Sequence, residues 1–418
     1  MSEPGGSAPP ISLDEFVSEC RAFLDGSYEP KVDTGLRWGE GSDRVGVFEE
    51  PDPEEEQRRM RAVREWRRRL FDAGLGWITG PIRYGGRDLP LSYQRAFDRL
   101  ARGYDVPGNG PVTITLGMVA PTILAHGTEA ARNRYLAALH RGDLVACQLF
   151  SEPGAGSDLA SVSTTATRDG DGWRISGQKV WTSGAQHADI GEVLCRTGEA
   201  PRHRNLTAFV IDMGAPGVEV RPLRQMTGGA AFNEVFLDSV WVPDEDRLGD
   251  IGAGWQVALT TLRNERSSIG SESFGGAGLL DLERFKAMVH HCGRRDDPLI
   301  RQHLARLYCG IRAAKYMRQR AEAARRRGLA AGPEGPLGKL ALARNMAEIT
   351  AFVSALLGPS LVADSGRWGT YAWANFVLGA PGYRLGGGTD EVIKNIIAER
   401  ALGLPREPAA PMAGPGRP

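Results

Sequence analysis

Residues 148–162 read QLFSEPGAGSDLASV, an apolar strand end that runs into a turn rich in glycine and serine. Gly154 and Gly156 have no Cβ, so the backbone of this turn can approach a ligand closely. The serine hydroxyls and exposed backbone N–H groups suit the edge of a planar heterocycle or a phosphate. Turns of this composition also occur without any ligand, so both interpretations stay open on these residues alone.

The region around and after this turn has the pattern of short β-strands. Brief runs rich in β-branched and aromatic residues alternate with Gly/Asp turns, and Asp169–Gly172 (DGDG) predicts a hairpin. Strands at this spacing favour a small antiparallel sandwich or barrel over a parallel sheet. The candidate strands are Ala146–Phe150, Val162–Arg168, Gly172–Gly177, Glu192–Arg196, Leu206–Ile211, Val218–Arg221 and Glu234–Val240.

The segments on both sides of this region predict helices, because their apolar residues recur at helical spacing. Between two of the later helices, Ala330–Pro336 is expected to be a Gly/Pro linker. The predicted helices are Leu13–Leu24, Glu54–Phe71, Leu91–Gly103, Gly110–Leu124, Thr128–Leu139, Trp255–Ile269, Leu279–His291, Pro298–Arg327, Gly338–Leu357 and Glu391–Ala401.

This order of elements predicts an α+β fold. We expect an N-terminal α-helical domain at residues 1–145, a central β domain at 146–250 and a C-terminal α-helical bundle at 251–404. Residues 405–418 are rich in Pro, Gly and Ala, and their low apolar content predicts a disordered tail.

The composition excludes several classes of function. The 418 residues include 51 basic and 51 acidic ones, so charge gives no reason to expect nucleic acid or an anionic membrane as partner. Five scattered cysteines lack CxxC and metal-ligand spacing, which indicates reduced thiols and no metal site. Residues 1–10 lack a signal-peptide pattern, and no stretch approaches about 18 consecutive apolar residues. We therefore expect a cytoplasmic protein without a membrane span.

A second candidate site segment is GQKVWTSGA, residues 177–185. Trp181 precedes two small hydroxyl residues, Thr182 and Ser183, and a glycine. Such a group makes a stacking wall for a planar ring such as a flavin. A core tryptophan at the end of a strand accounts for the same residues, so this segment alone does not decide.

A third candidate lies on the helix predicted from Trp255. At helical spacing, Glu265 and Arg266 fall at the edge of an apolar face formed by residues such as Leu259 and Leu262. Charges at such an edge are costly unless they pair with each other, with another residue or with a ligand. The helix alone does not decide whether Glu265 and Arg266 form a structural ion pair or a functional pair.

The fourth candidate is Gly386–Glu391 (GGGTDE), which opens an apolar helix. Glycines that lead into a helix N-terminus, with Thr389 as a possible N-cap, suit a phosphate group. A flexible loop followed by a cap is the alternative. No GxGxxG follows a strand and no GxxxxGK[ST] occurs, so neither a Rossmann domain nor a P-loop is indicated.

Together the four segments resemble the acyl-CoA dehydrogenase family, and they occur in the same order. The resemblance spans Leu70–Glu407 and implies helical N- and C-terminal domains, the latter a four-helix bundle, around a central β domain. The matching tracts are QLFSEPGAGSDLASV (148–162), GQKVWTSGAQHAD (177–189), GWQVALTTLRNER (254–266) and GGTDEVIKNIIAERALGLPRE (387–407). Lesser matches are GLGWITGPIRYGG (74–86), HGTEAARNRYLAALHRGD (126–143) and FNEVFLDSVWVPDEDRLG (232–249).

The resemblance implies FAD as cofactor, an acyl-CoA substrate and a role in lipid metabolism. In such enzymes a carboxylate removes the proton at Cα while hydride passes from Cβ to flavin N5. The implied substrate-binding residues are Ser157, Arg266 and Gly387. The implied FAD-binding residues are Phe150, Ser151, Gly156, Ser157, Trp181, Ser183, Gly388, Thr389 and Glu391.

The sequence departs from the usual family pattern at the catalytic base. Most members carry a Glu immediately before the GT of the C-terminal signature, where this chain has Gly387. A minority place the base on the pocket helix, just before the Arg, and Glu265 occupies that position. The resemblance to this actinobacterial branch implies that Glu265 is the base and that the acyl group is branched or bulky.

A second departure concerns assembly. Many relatives carry an Arg-x-Phe-Gly segment that holds the FAD of a neighbouring subunit, and the region from Arg284 through RRDDPLIRQHLARLY lacks it. This resembles members that form α2β2 assemblies, so the partner is either a second copy or a paralogous chain, with electron-transferring flavoprotein as acceptor. The alternatives are a partner subunit that completes a flavin site, a flavin monooxygenase, and a flavin-free binding protein.

Overall fold

The computed structural model describes residues 11–32, 35–47, 52–269, 281–327 and 332–406, without the side chains of 266–269, 325 and 326. The chain forms two compact units. The first comprises Met1–Arg37 and Phe48–Ser268, and the second comprises Trp38–Val47 and Ile269–Pro418. The expected features of residues 1–10 and 407–418 lie outside the described residues.

The helices of the first unit begin where the sequence provides caps. Ser12 and Glu15 form a capping box at the first helix, and the Asp52 side chain caps the second, which starts with Pro53. The helices are α1 (Leu13–Asp25), α2 (Pro53–Asp72), α3 (Leu91–Ala101), α4 (Ala120–His126), α5 (Glu129–Arg141) and, after the strands, α6 (Gly254–Ile269).

The prediction of one helix over Gly110–Leu124 is wrong in detail. The structure has a 3₁₀ turn at Gly110–Val112, a π-helical turn at Thr115–Val119 and then α4. Pro121 has no N–H to continue the α-helical hydrogen bonds, and the ladder is interrupted in the turn before it.

The strands form one mixed sheet in the order β6-β7-β3-β2-β4-β5-β8, with β1 paired to β4. The α+β fold class is confirmed, but β1 and β2 pair with β4 in parallel, so the expectation of antiparallel strands is wrong there. The strands are β1 (Ala146–Leu149), β2 (Thr165–Asp169), β3 (Gly172–Ser183), β4 (Ile190–Arg196), β5 (Leu206–Asp212), β6 (Val218–Leu223), β7 (Phe232–Pro243) and β8 (Arg247–Leu248).

Strand β4 lies at the centre of the core of this unit. Residues 190–195 are all buried, because one face of the strand packs with helices and the other with strands β3 and β7. Leu194 belongs to the cluster on the helix side, which includes Val257 and Ala258 of α6. Val193 belongs to the cluster on the other side, with Val235 of β7. Burial on both faces explains the nearly continuous apolar run.

The second unit is helical in its described part. Its core stacks aromatic rings, with Phe285 at 5.7 Å from Phe352 and 5.6 Å from Trp373 between centroids. The helices are α7 (Leu282–His291), α8 (Pro298–Arg326), α9 (Glu334–Leu357), α10 (Trp373–Gly379) and α11 (Asp390–Arg400). Residues 279 and 280 of the predicted Leu279–His291 helix lie outside the described part.

The predicted linker at Ala330–Pro336 is partly wrong, because α9 already begins at Glu334 and includes Pro336 in its first turn. Proline is tolerated there, since the first N–H groups of a helix have no partner within it. The segment 334–361 is long and apolar enough to cross a membrane by length and composition alone. It also buries Phe352 and Val353 in the core of this unit, as a core helix does.

Candidate active site

The turn after β1 is held by a buried ion pair beneath it. The ammonium Nζ of Lys179, on β3, donates hydrogen bonds to Glu152 Oε1 at 2.8 Å, Phe150 O at 3.1 Å and Leu194 O at 2.8 Å. Lys179 is 0% exposed and Glu152 is also buried. All three donor hydrogens of the ammonium are therefore used, and they connect the turn to β3 and β4.

Glu152 is also the acceptor for the chain that leaves the turn. Its oxygens accept from the backbone N and hydroxyl of Ser163, both at 2.6 Å, and from the backbone N of Thr164 at 2.9 Å. Burial opposes ionisation, but Lys179 and these donors outweigh it and lower the pKa of Glu152 to about 2. The carboxylate is thus charged at neutral pH and fixes both ends of the turn.

The upper side of the turn is open. A Cβ added at Gly154 or Gly156 would meet no atom within 4 Å, so internal packing does not require glycine at either position. Ser157 is exposed and Ser151 is half-buried. The backbone N of Val180 donates to Ser151 O at 2.9 Å, which places this turn beside the second candidate segment. Small residues with no internal packing role, next to a fixed backbone, suit close contact with a bound group.

Trp181 is held in an unusual backbone conformation on β3. Its φ is +63°, in the left-handed region that bulky residues rarely adopt, and the β3–β7 register shifts between Lys179 and Thr182. The indole is 59% exposed, with the ring of Phe232 5.9 Å away edge-on. The local strain keeps a large apolar ring at the surface instead of in the core, so the alternative of a core tryptophan is wrong.

The same segment contains an unsatisfied hydroxyl. Thr182 is 1% exposed, and its Oγ1 has no hydrogen-bond partner among the described residues. Burying such a group without a partner costs about 1–3 kcal/mol, so a missing ligand atom is a physical explanation. An open glycine turn, an outward tryptophan and an unsatisfied hydroxyl together fit a flat, polar-edged ring system such as the flavin of FAD.

Helix α6 positions the predicted base. Glu265 is half-buried one turn after Thr261, whose Oγ1 lies 2.7 Å from Glu192 Oε1 of β4. At the start of the helix, Trp255 stacks on His203 with ring centroids 4.5 Å apart. The side chain of Arg266 lies outside the described residues.

In the second unit, the predicted glycine loop has the backbone that glycine allows. Gly387 and Gly388 have φ values of +68° and +93°, in the left-handed region. As predicted, Thr389 caps the next helix, because its Oγ1 accepts from the backbone N of Val392 at 3.1 Å. Glu391 is exposed in the first turn of α11.

A partly buried charge cluster anchors this loop and was not predicted. Asp390 accepts from Lys339 Nζ of α9 at 3.3 Å and from Arg384 Nε at 2.8 Å. Burial opposes ionisation of Asp390, but the two cations outweigh it and lower its pKa. The start of α11 is thereby tied to α9 and to the residues just before the loop.

Comparison with known proteins agrees with this arrangement. Profiles of the N-terminal, middle and C-terminal domains of acyl-CoA dehydrogenases match residues 47–143, 147–240 and 252–402. The acyl-CoA dehydrogenase IpdE1 of Mycobacterium tuberculosis is 36% identical over 364 residues, which cover 85% of this chain and 91% of IpdE1. The chain belongs to the acyl-CoA dehydrogenase family. The family's members are FAD flavoproteins and oxidoreductases, so the predicted enzyme class and cofactor are confirmed.

Solved structures of acyl-CoA dehydrogenases share the fold. The Tcur3481-Tcur3483 steroid ACAD is 27% identical, with a TM-score of 0.72, over 96% of this chain and 99% of the matched one. The glutaryl-coenzyme A dehydrogenase in its glutaryl-CoA complex is also 27% identical, with a TM-score of 0.66, over 96% and 98%. The assignment of individual residues to FAD or substrate stays a prediction.

Proposed function

We propose that this chain catalyses the FAD-dependent α,β-dehydrogenation of an acyl-CoA thioester with a branched or bulky acyl group, with Glu265 as base. The observation that carries the proposal is the position of the carboxylate, which is missing at Gly387 and present at Glu265. The C-terminal signature has Gly387 where most relatives have the base, and α6 contains a single carboxylate, Glu265, at the position that a minority of relatives use.

The backbone at Gly387 supports this exchange. Its φ of +68° costs an L-amino acid with a side chain about 1–2 kcal/mol. A glutamate at this position would carry that strain, whereas α6 holds Glu265 in ordinary helical geometry.

The roles of the residues follow from this chemistry. Glu265 accepts the proton from Cα, and the backbone N–H of Gly387 donates to the thioester carbonyl as enolate character develops. The turn at residues 150–158, with Trp181 and Ser183, holds the flavin ring, and Gly388, Thr389 and Glu391 contact FAD from the C-terminal side. Ser157 and Arg266 contact the CoA arm. When bound, FAD supplies the hydride acceptor at N5.

The bulky acyl group is inferred from the missing side chain at Gly387, which leaves room that a glutamate would fill. The name of the steroid ACAD among the solved structures is consistent with this inference. Acyl-CoA dehydrogenases reported from M. tuberculosis at 30–38% identity belong to the same actinobacterial group of relatives.

We also propose an assembly with a paralogous chain. The region from Arg284 onward lacks the Arg-x-Phe-Gly segment of many relatives, and Arg284 makes its contacts inside its own unit. Its Nη2 donates to Asp43 O at 3.3 Å, and its guanidinium lies 5.7 Å from the ring of Trp368. The contacts of this arginine therefore lie within its own unit, and the paired name of the Tcur3481-Tcur3483 steroid ACAD is consistent with a heteromeric assembly. Electron-transferring flavoprotein is the proposed acceptor.

The test is the visible spectrum of the purified chain during titration with acyl-CoAs, anaerobically, alone and after co-expression with paralogous chains. The panel contains linear, branched and polycyclic acyl groups. Bleaching of the flavin band by a branched or polycyclic acyl-CoA supports the proposal. Flavin that no acyl-CoA bleaches in any assembly contradicts it, and favours a partner subunit that only completes a flavin site.

A further inference from the structure

A carboxyl group lies in the apolar core of the first unit, and no charged partner is found for it among the described residues. Glu192 of β4 is 0% exposed and, by strand alternation, lies on the same side as Ile190 and Leu194, which belong to the helix-side cluster that includes Val257. Ionised carboxylates are almost never buried in this way unless a cation or several donors surround them. Glu192 therefore needs its own explanation.

Glu192 ends a chain of hydroxyl contacts that links one strand and two helices. Its Oε1 lies 2.7 Å from Thr261 Oγ1 of α6, which lies 2.9 Å from Thr122 Oγ1 of α4. Thr122 Oγ1 in turn lies 2.8 Å from the carbonyl oxygen of Met118, in the π-helical turn before α4. Both threonines are 0% exposed.

The number of available hydrogens favours a protonated Glu192. Each threonine hydroxyl has one hydrogen, and Met118 O can only accept, so an ionised Glu192 leaves two hydrogens for three contacts of 2.7–2.9 Å. Thr261 Oγ1 also lies 3.3 Å from Val257 O, a longer contact with a second acceptor. A protonated Glu192 supplies the third. The carboxyl then donates to Thr261, Thr261 donates to Thr122, and Thr122 donates to the carbonyl of Met118, so that each of the three shorter contacts has a hydrogen.

The second carboxyl oxygen and the surroundings agree with a neutral acid. Oε2 has no hydrogen-bond partner among the described residues, which costs far less for a neutral C=O than for half of a carboxylate. Burial raises the pKa of Glu192 to about 8, with the Thr261 hydrogen bond acting weakly against it.

The groups that face Glu192 from the neighbouring elements are uncharged. Its register partners are Gln148 on β1 and Val210 on β5, and its contacts on the two helices are threonines. In the same pair of helices, His126 of α4 meets Thr260 at 2.8 Å rather than Glu192. Burial lowers the pKa of His126, so its titration falls on the acid side. On α6 itself, Arg263 and Glu265 are the charged residues nearest to Thr261.

We propose that Glu192 is held as a neutral carboxylic acid that positions the catalytic base, by fixing α6 against β4 and α4 through Thr261, one turn before Glu265. Residues four apart on a helix share a face with Cβ atoms about 5–6 Å apart, so a shift at Thr261 moves Glu265 directly. Loss of the proton removes one hydrogen from the chain and loosens α6. The inference rests on the proposed role of Glu265.

The experiment compares Glu192→Gln, Glu192→Leu and Thr261→Val with the FAD-bound wild type. A glutamine amide can donate to Thr261 without titrating, so Glu192→Gln preserves the chain at every pH, whereas the other two variants break it. Thr260→Val is the matched control, because it removes another α4–α6 hydrogen bond, to His126, outside the chain. Two readouts are used: the infrared carbonyl band of a protonated carboxyl group, and the pH dependence of flavin reduction by the best acyl-CoA.

We expect the wild type to show a protonated-carboxyl band at pH 7 that disappears above about pH 8 and is absent from Glu192→Gln. The rate of flavin reduction in the wild type falls over the same pH range. This fall in rate at alkaline pH, the alkaline limb of the pH profile, is absent from Glu192→Gln. Glu192→Leu and Thr261→Val slow reduction about 10- to 100-fold at pH 7, as expected for a base displaced by a fraction of an ångström to 1 Å. Thr260→Val keeps the limb.

Two results overturn the proposal. One is the absence of a protonated-carboxyl band that depends on Glu192. The other is an alkaline limb that is unchanged in Glu192→Gln, even where the band is present. Failure of the proposed function would give a different result from both. The wild type would show the protonated-carboxyl band, but none of the acyl-CoAs would reduce its flavin. Glu192 would then still be neutral, and only its role in positioning a base would be lost.

Discussion

The ammonium of Lys179 and the carboxylate of Glu152 form a 2.8 Å ion pair directly beneath the glycine turn of residues 150–158. The pair joins the turn to β3, so that the backbone next to Trp181 and the backbone of the turn are fixed by the same contact. A rigid turn beside an outward tryptophan is what a bound ring system needs, because little conformational freedom is then lost on binding.

We expect Lys179→Met to destabilise the first unit by about 3–5 kcal/mol, because it leaves the buried Glu152 carboxylate without its cation. The double variant Lys179→Met/Glu152→Gln removes the charge as well and should recover part of this loss. Chemical denaturation of the three proteins measures the difference. A single variant as stable as the wild type contradicts the role assigned to the pair.

The same pair gives an expected pH dependence. Because the pKa of Glu152 is lowered from 4.5 to about 2, its stabilisation is fully present above pH 4.5 and is lost as the pH falls towards 2. Melting temperatures should therefore fall more steeply over this range in the wild type than in the double variant. Parallel curves for the two proteins would show that Glu152 titrates normally.

Trp181→Leu is expected to weaken FAD binding at least about tenfold with little change in the stability of the apoprotein, because the indole is exposed and is proposed to stack on the flavin. The matched control is Trp241→Leu, which alters another exposed tryptophan of the same sheet, on β7. Fluorescence titration of apoprotein with FAD measures both. Equal affinity in the Trp181 variant and the wild type would remove Trp181 from the flavin site.

Gly387→Ala should destabilise the second unit by about 1–2 kcal/mol, because alanine is strained at a φ of +68°. The control is Gly338→Ala in α9, where a Cβ meets nothing within 4 Å and alanine should stabilise the helix by about 0.5–1 kcal/mol. Thermal unfolding separates the two signs. A stabilised Gly387→Ala variant would contradict the strain that favours a base elsewhere.

The sequence predicted the elements with strong periodicity and missed those set by distant contacts. Helices α1, α2 and α5 match their predictions within a few residues, because their caps and apolar stripes are local signals. Strand β3 is longer than predicted, because the alternation that marks a strand is interrupted at Gly177, next to a register shift in the β3–β7 pairing. The seven residues of α10 are too few to show a helical period.

At the site, the motifs identified the segments but not what holds them. Glu152 and Lys179 are 27 residues apart, and nothing local marks them as a pair. Asp390 and Lys339 are 51 residues apart, and nothing local marks them as a pair either. The sequence did not mark Glu192 as buried either, because a single acidic residue in an apolar strand is equally compatible with an exposed position. Only the register of β4 and the packing of α6 reveal it as buried.

The role of Glu265 as base is tested most directly by single-turnover flavin reduction in Glu265→Gln. The control is Glu199→Gln, which alters a residue in an exposed loop. With the acyl-CoA that bleaches the wild type, the control should reduce its flavin at the wild-type rate. Glu265→Gln should bind the same ligand but reduce flavin about 10²- to 10⁴-fold more slowly, as expected when a general base is removed. Reduction of Glu265→Gln at the wild-type rate would contradict the central claim that α6 carries the base.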